Sequence, residues 1–207
     1  MTSPDCSPAA ERNKQPILEV LQSVVPATGR ALEIASGTGQ HVHWFATHMP
    51  AWTWQPTEVQ RGALYNIEVR IAEAALVNAL DPIQLDVRTQ PWFKPEADAA
   101  HFDLIFCANM LHIAPWEACI ALMEGSGQHL TSGGVLVTYG PYFETGLPTA
   151  PSNTDFDQSL RAHDAAWGIR WRHEVEAQAA RSGLELKARH AMPSNNLLLV
   201  WGRHTAI

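Results

Sequence analysis

The residues of this 207-residue chain best suited to chemistry begin at Leu32-Glu33-Ile34-Ala35-Ser36-Gly37-Thr38-Gly39-Gln40-His41. Gly37 and Gly39 allow a sharp backbone turn and let a ligand approach without interference from a Cβ. Two kinds of nucleotide suit such a turn. A dinucleotide asks for GxGxxG, with its pyrophosphate on the next helix N-terminus. Here the third glycine position is Val42, which argues against a nicotinamide-dependent oxidoreductase. S-adenosylmethionine carries no phosphate and makes no such demand. Glu33, acidic inside an apolar run, then gains a purpose: it reaches toward the cationic methionine end of that ligand, directly or through water. The plain alternative is a glycine turn beside a partly exposed glutamate.

Three further polar groups fall where strands should end. Glu58 ends WQPTE, about 20 residues beyond the glycine turn, the spacing of a ribose-binding acid. Its carboxylate can accept from both ribose hydroxyls. Asp86 closes IQLD, where it can accept from an adenine amino group while the Val87 N–H faces a ring nitrogen. Asn109 follows FDLIFCAN and is placed to hold the methionine end and border the methyl group. Each one alone is an ordinary solvated strand end; their coincidence on one edge carries the reading.

A methyl on a sulfonium is already electrophilic, so positioning, desolvation and deprotonation of the acceptor suffice, and no catalytic triad is expected. Candidates for the acceptor side are His112, Tyr139 and Tyr142 as catalytic groups and Asn13, Trp116, Asn153, Asn195 and Asn196 as substrate contacts. His112 has a near-neutral base, but it is equally read as a packed histidine near a helix start; Tyr139 is equally read as a core aromatic. His41, His43 and His48 lack helical i, i+3 or i+4 spacing for 41 and 43 and no acid or cysteine completes a set, so no metal is expected.

These groups need a scaffold of alternating strands and helices. Pro16 opens an amphipathic helix, PILEVLQSVV, after a polar lead-in over residues 1–10 that reads as flexible. RALEIASGTG and HVHWFATHM read as strand, turn, helix. Trp52–Thr57 is a second strand, Arg61–Leu80 a long helix stopped by Pro82, and IQLDV a third strand. FDLIFC is the fourth, a helix runs from Pro115 to about Leu130, and a Gly133-Gly134 turn precedes the fifth strand, VLVTYG. Residues 141–153 read as a loop, helices cover parts of 155–166 and 172–182, and the tail is two strands about a Pro-Ser-Asn turn. Such alternation implies a doubly wound, mostly parallel sheet between helical layers, with ligands at the carboxyl ends of its strands.

Composition supports one globular domain over residues 11–207: 46% hydrophobic and 17% charged residues suit a substantial core. A net charge of −7 without a Lys/Arg cluster makes nucleic acid an unlikely partner. Eight tryptophans then read as core and pocket walls, not as a base-stacking platform. Three widely spaced cysteines argue against a disulfide framework, favouring a cytoplasmic protein. No apolar run is long enough to span a membrane, and oligomeric state is not legible.

The run LEIASGTGQH, Glu58, the LDV at 85–87 and FDLIFCANMLHI together resemble motifs I to IV of class I S-adenosylmethionine-dependent methyltransferases. More narrowly, ERNKQPIL, WQPTE, NMLHIAPW, GGVLVTYGP, SNTDFDQSL, WGIR and MPSNN resemble a family of short, largely uncharacterised methyltransferase-like proteins. The resemblance implies a Rossmann-like seven-stranded sheet with its last strand antiparallel. It also implies S-adenosylmethionine as cofactor and S-adenosylhomocysteine as product, held by Glu33, Gly37, Gly39, Glu58, Asp86 and Asn109, beside the Val87 N–H read from the strand end. The expected activity is methyl transfer to a small-molecule acceptor; the alternative is a catalytically silent cofactor-binding partner or regulatory subunit. The Asn/Asp-Pro-Pro-aromatic run of base-methylating enzymes is missing after the fourth strand, where Asn109-Met110-Leu111-His112 stands.

Overall fold

The computed structural model describes residues 5–93 and 101–204. Its elements run α1 (Pro8–Val24), β1 (Gly29–Ile34), α2 (Gln40–His48), β2 (Trp52–Glu58), α3 (Arg61–Glu73), β3 (Ile83–Gln84), β4 (Phe102–Ala108), α4 (Trp116–His129), β5 (Leu130–Gly140), β6 (Tyr142–Phe143), α5 (Pro151–His163), β7 (Arg170–Trp171), α6 (Arg172–Arg181), β8 (Leu184–Met192) and β9 (Asn196–Arg203).

Seven strands form one sheet in the order β3-β2-β1-β4-β5-β9-β8. Neighbours from β3 through β5 are parallel, and β9 is antiparallel to both β5 and β8. The sheet is therefore the expected one, with its last strand reversed. Short β6 and β7 pair apart from it. The chain leaves β1 toward β2 and β3, then returns to place β4 on the other side of β1. That reversal opens a crevice at the carboxyl ends of β1 and β4.

Alternation along the central strands feeds two cores, one on each face. Ala31, Leu104, Phe106 and Val137 pack with α1, α2 and α3 residues such as Ile17, Phe45 and Ile67. Leu32, Ile34, Ile105 and Leu136 pack with α4 and α6 residues such as Leu122 and Val175. Trp52, Trp54 and Trp201 are fully buried, as a role in the core requires.

Several elements differ from the sequence expectation. Helix α1 begins at Pro8, not Pro16, so residues 8–10 belong to it; residues 1–4 of the expected lead-in lie outside the described residues. Ser7 caps the helix by accepting from the Ala10 N–H, with Pro8 in its first turn, a placement that suits proline's missing N–H. Pro16 sits inside the helix. It is carried by a buried face of Asn13, Ile17, Leu18 and Leu21.

Helix α3 ends at Glu73, well short of Leu80. Ala75 turns left-handed (φ 50°), and the chain lies beside β2 instead. There Asn78 donates to the Ala46 and Trp52 carbonyls and Leu80 N–H to the Trp54 carbonyl. Gly133 and Gly134 lie within β5 instead of a turn. A Cβ on Gly134 would fall 2.8 Å from the Phe102 carbonyl, so the close approach to β4 is what needs glycine. The third strand is only two residues long, and part of the expected loop is β6, with α5 starting at Pro151.

Candidate functional site

A cavity of about 520 Å³ sits over the carboxyl ends of β1 to β4, within the usual range for small-ligand sites. Gly37, Glu58, Asp86, Val87 and Asn109 all line it. The turn after β1 is wound tightly: Ala35, Gly37 and Gly39 have φ of 55°, 56° and 74°. Ser36 and Thr57 exchange hydrogen bonds that fasten this turn to β2. A Cβ on Gly37 would meet nothing within 4 Å, so the bare backbone there faces open space.

Glu58 fixes the same turn from the side. Its Oε2 accepts the Gly37 N–H at 2.9 Å, and its Oε1 accepts the N–H groups of Val59 at 2.8 Å and Gln60 at 3.1 Å. A carboxylate has about four lone-pair sites; three are taken, leaving about one for a ligand hydroxyl. The expectation of full bonds from both ribose hydroxyls is thereby narrowed to one.

Asp86 is bound by Arg88, Nε to Oδ1 at 3.0 Å and Nη2 to Oδ2 at 2.7 Å. The guanidinium holds its carboxyl below the ordinary value. An exposed pair of this kind contributes about 0–1 kcal/mol, so a ligand amino group can compete for the acid. Asn109 is left-handed (φ 60°), a conformation that Asn tolerates better than most residues. Its N–H donates to the Tyr139 carbonyl, which turns the chain across the end of β5.

Glu33 and Gly39 do not line the cavity. Glu33 is buried beneath the turn with Oε2 unpartnered. Burial pushes its carboxyl up to about 8, and the nearby Glu58 charge acts in the same direction. Gly39 instead packs against α3, where a Cβ would lie 3.1 Å from the Ile67 Cα.

The acceptor-side candidates divide. His112, Tyr139, Tyr142 and Trp116 do not line this cavity. His112 is buried against Phe156, and burial, with Arg170 nearby, pushes it down to about 4. Tyr142 donates to Thr138 Oγ1 at 2.8 Å, which also accepts Trp201 Nε1 at 3.0 Å; burial drives its hydroxyl up. Trp116 packs beside the Arg170 guanidinium and on the core. Tyr139 is buried, and burial raises its hydroxyl, with Asn13 and Asn196 acting in the opposite direction. Asn13 bonds His41 Nε2 at 2.7 Å. Asn153, Asn195 and Asn196 line a different cavity.

Sequence reading missed other lining residues. Ser7 and Ala10 reach the cavity because α1 starts early, and the Ser7-Pro8 pair was the available signal. His41 lines the cavity as a neutral ring, pushed down to about 4 by burial. Ala35 and Arg88 carried no signal, since one depends on turn strain and the other on side-chain reach. Among the described residues no group of three or more His, Cys, Asp or Glu could hold a metal, and no helix is long and apolar enough to cross a membrane.

The family described as "Protein of unknown function (DUF938)" matches residues 4–203. Solved structures share the fold at low identity. An O-methyltransferase family protein from Burkholderia thailandensis has a TM-score of 0.78 at 15% identity, covering 96% of this chain and 58% of its own. The mitomycin 7-O-methyltransferase MmcR has 0.76 at 13%, covering 93% and 54%. An O-methyltransferase from neocarzinostatin biosynthesis, in complex with S-adenosylmethionine and 2-hydroxy-5-methyl naphthoic acid, has 0.71 at 15%, covering 94% and 57%. The chain thus spans a little over half the length of these structures.

Proposed function

We propose, for a chain that belongs to the family described as "Protein of unknown function (DUF938)", that it binds S-adenosylmethionine in the cavity over β1–β4 and transfers its methyl group to a small-molecule acceptor. The observation that carries the reading is the convergence of Gly37, Glu58, Asp86, Val87 and Asn109 on one cavity. The cavity's chemistry fits that ligand. The open face of Gly37 leaves room for the ligand chain. Glu58 keeps one acceptor site for a ribose hydroxyl, and Asp86 and the Val87 N–H offer an acceptor and a donor to an adenine edge. Ile34, Leu85, Met110 and Ile113 add an apolar part to the wall, which suits a purine ring.

Bound there, S-adenosylmethionine supplies an electrophilic methyl: the acceptor lone pair forms the bond to carbon, the carbon–sulfur pair leaves on sulfur, and the acceptor proton passes to solvent. The protein's part is to hold and to orient. Glu58 and the turn it braces fix one end, and Asn109, at the switch between β1 and β4, borders the other. Structural likeness to O-methyltransferases, some of them with small-molecule ligands, supports the reading.

A second reading is a silent cofactor-binding partner. It is favoured by one observation: His112, Tyr139 and Tyr142, the groups able to take a proton on sequence grounds, all lie away from this cavity. Isotopically methyl-labelled S-adenosylmethionine, incubated with the protein and a metabolite extract and followed by mass spectrometry, separates the two. Labelled product supports transfer. Good binding of S-adenosylhomocysteine with no labelled product across broad extracts supports the silent partner.

A further inference from the structure

Three segments that the cofactor reading leaves largely without a task, NMLHIAPW, SNTDFDQSL and WGIR, meet at one place. It is the loop over residues 109–115, which joins β4 to α4. One side of that loop is cavity wall: Met110, Ile113, Ala114 and Pro115 line the crevice. The other side is turned inward, with Leu111 and His112 buried.

A loop between a strand and a helix carries carbonyls that neither element satisfies. Here WGIR supplies the donors. Arg170 Nε donates to the Leu111 carbonyl at 2.9 Å, Arg170 Nη2 to the Ala114 carbonyl, and Gly168 N–H to the His112 carbonyl at 3.0 Å. Nη2 also reaches the Ala166 carbonyl at 3.0 Å, within its own segment. A half-buried guanidinium is thus spent on carbonyls, with no carboxylate among these partners. Its planar fork points donors in fixed directions, so the Leu111 and Ala114 carbonyls are held at a fixed spacing. An ammonium on a flexible stem would set no such spacing.

The clamp is itself fixed from behind. Gly168 takes φ 147°, which glycine reaches readily, and this aims its N–H at His112. Asp157 on α5 accepts the Ile169 N–H at 2.7 Å on Oδ1 and Arg161 Nε at 2.8 Å on Oδ2. Phe156, its neighbour on α5, packs edge-on against the His112 ring. The same ring meets β5, where a Cβ on Gly140 would fall 3.3 Å from His112 Nδ1. The guanidinium of Arg170 also lies 5.8 Å from the centre of the Trp116 ring, at the start of α4. The back of the loop is therefore gripped by three carbonyls and a ring, and its front is left to face the cavity.

We propose that Arg170 is a positioning residue for the cofactor: it presets the wall from Met110 to Pro115 on which the adenine ring packs, without itself lining the cavity. The inference rests on the cofactor reading of that cavity. A wall freed from its clamp samples other arrangements, and a ligand must then select the competent one. If the competent wall is present about a tenth of the time, apparent affinity falls about tenfold.

The test is calorimetric titration of S-adenosylhomocysteine into the full chain, Arg170→Ala and Arg170→Lys, each at a temperature where its unfolding curve shows it folded. Amide relaxation on the ¹⁵N-labelled proteins is read alongside, since it reports picosecond-to-nanosecond mobility. Wild type is expected to bind, with the Met110 and Ile113 amides rigid before ligand is added. Arg170→Ala is expected to bind about tenfold more weakly, with those two amides mobile when free and rigid when saturated. Arg170→Lys keeps the charge and loses the fork, so it should change in the same direction; if Arg170→Ala does not fold, it decides by the same criteria. Binding within about twofold of wild type overturns the positioning role, whatever the loss of stability. Weaker binding with both amides as rigid as in wild type overturns it too. A wild-type chain that gives no heat with S-adenosylhomocysteine removes the cofactor reading and this inference with it.

Discussion

Replacing Glu58 by glutamine removes one charge and almost no volume, so it isolates the electrostatic part of the site. In the native chain the carboxylate braces three backbone N–H groups and keeps about one lone-pair site for ligand. In Glu58→Gln the amide oxygen can still serve Val59 and Gln60. The NH₂ then faces the Gly37 N–H, donor against donor. A hydrogen bond to a charged group contributes about 1.5–3 kcal/mol, and about 1.4 kcal/mol is a factor of ten in affinity. Losing the charged bond to one ribose hydroxyl therefore weakens S-adenosylhomocysteine by roughly 10- to 150-fold. The loosened Gly37 turn should also lower stability by about 1–3 kcal/mol, the cost of a donor left unsatisfied. Isothermal titration gives the first quantity and denaturant unfolding of the unliganded protein the second. Affinity within twofold of wild type, with the variant folded, refutes the assignment of Glu58 to the ligand.

The two glycines of the turn should separate. Gly39→Ala brings a Cβ to 3.1 Å from the Ile67 backbone at φ 74°; strain of about 1–2 kcal/mol plus overpacking of about 1–3 predicts a fall in Tm of roughly 5–15 °C, read by calorimetry. Gly37→Ala meets nothing within 4 Å, so it should shift Tm by only a few degrees and act mainly on ligand affinity. Glu33 has a folded-state value raised from 4.5 to about 8. Between those values the folded chain keeps a proton that the unfolded chain releases, so stability falls as pH rises through that window, by up to about 1.4 kcal/mol per unit. Glu33→Gln should remove that slope when wild type and variant are unfolded side by side at pH 5 and pH 8. His41 and His112, both pushed down from 6.5 to about 4, act oppositely: their contribution is present above 6.5 and lost as pH falls toward 4. Their ring-proton resonances should stay those of neutral imidazole down to about pH 5.

Much of this arrangement is local in origin and so was readable from residues alone. The glycine turn, the alternating strands and the Pro-Ser-Asn hairpin each follow from a few neighbouring side chains. The seven-strand count and the reversed last strand came instead from the family resemblance, and the structure shows both. Placement at strand ends sufficed to bring Glu58, Asp86, Val87 and Asn109 to one edge. What was not readable depends on distant partners. Gly39 looks identical to Gly37 in sequence, and only α3 packing against it gives it a different task. The burial of Glu33 comes from layers packed on both faces of β1, where Ala31 to Ile34 are all buried, and no neighbouring residue in the sequence reports it. The end of α3 is set by Asn78 finding carbonyls on α2 and β2, which no local propensity reports. The asparagines at 153, 195 and 196 come together through contacts spanning some forty residues.

A crystal structure of the chain with S-adenosylhomocysteine measures the central claim most directly. The account predicts adenine against Asp86 and Val87, a ribose hydroxyl on Glu58 with Arg88 moved aside, and the sulfur beside Asn109. Ligand bound elsewhere, or a saturated crystal in which the β1–β4 crevice holds only water, contradicts it.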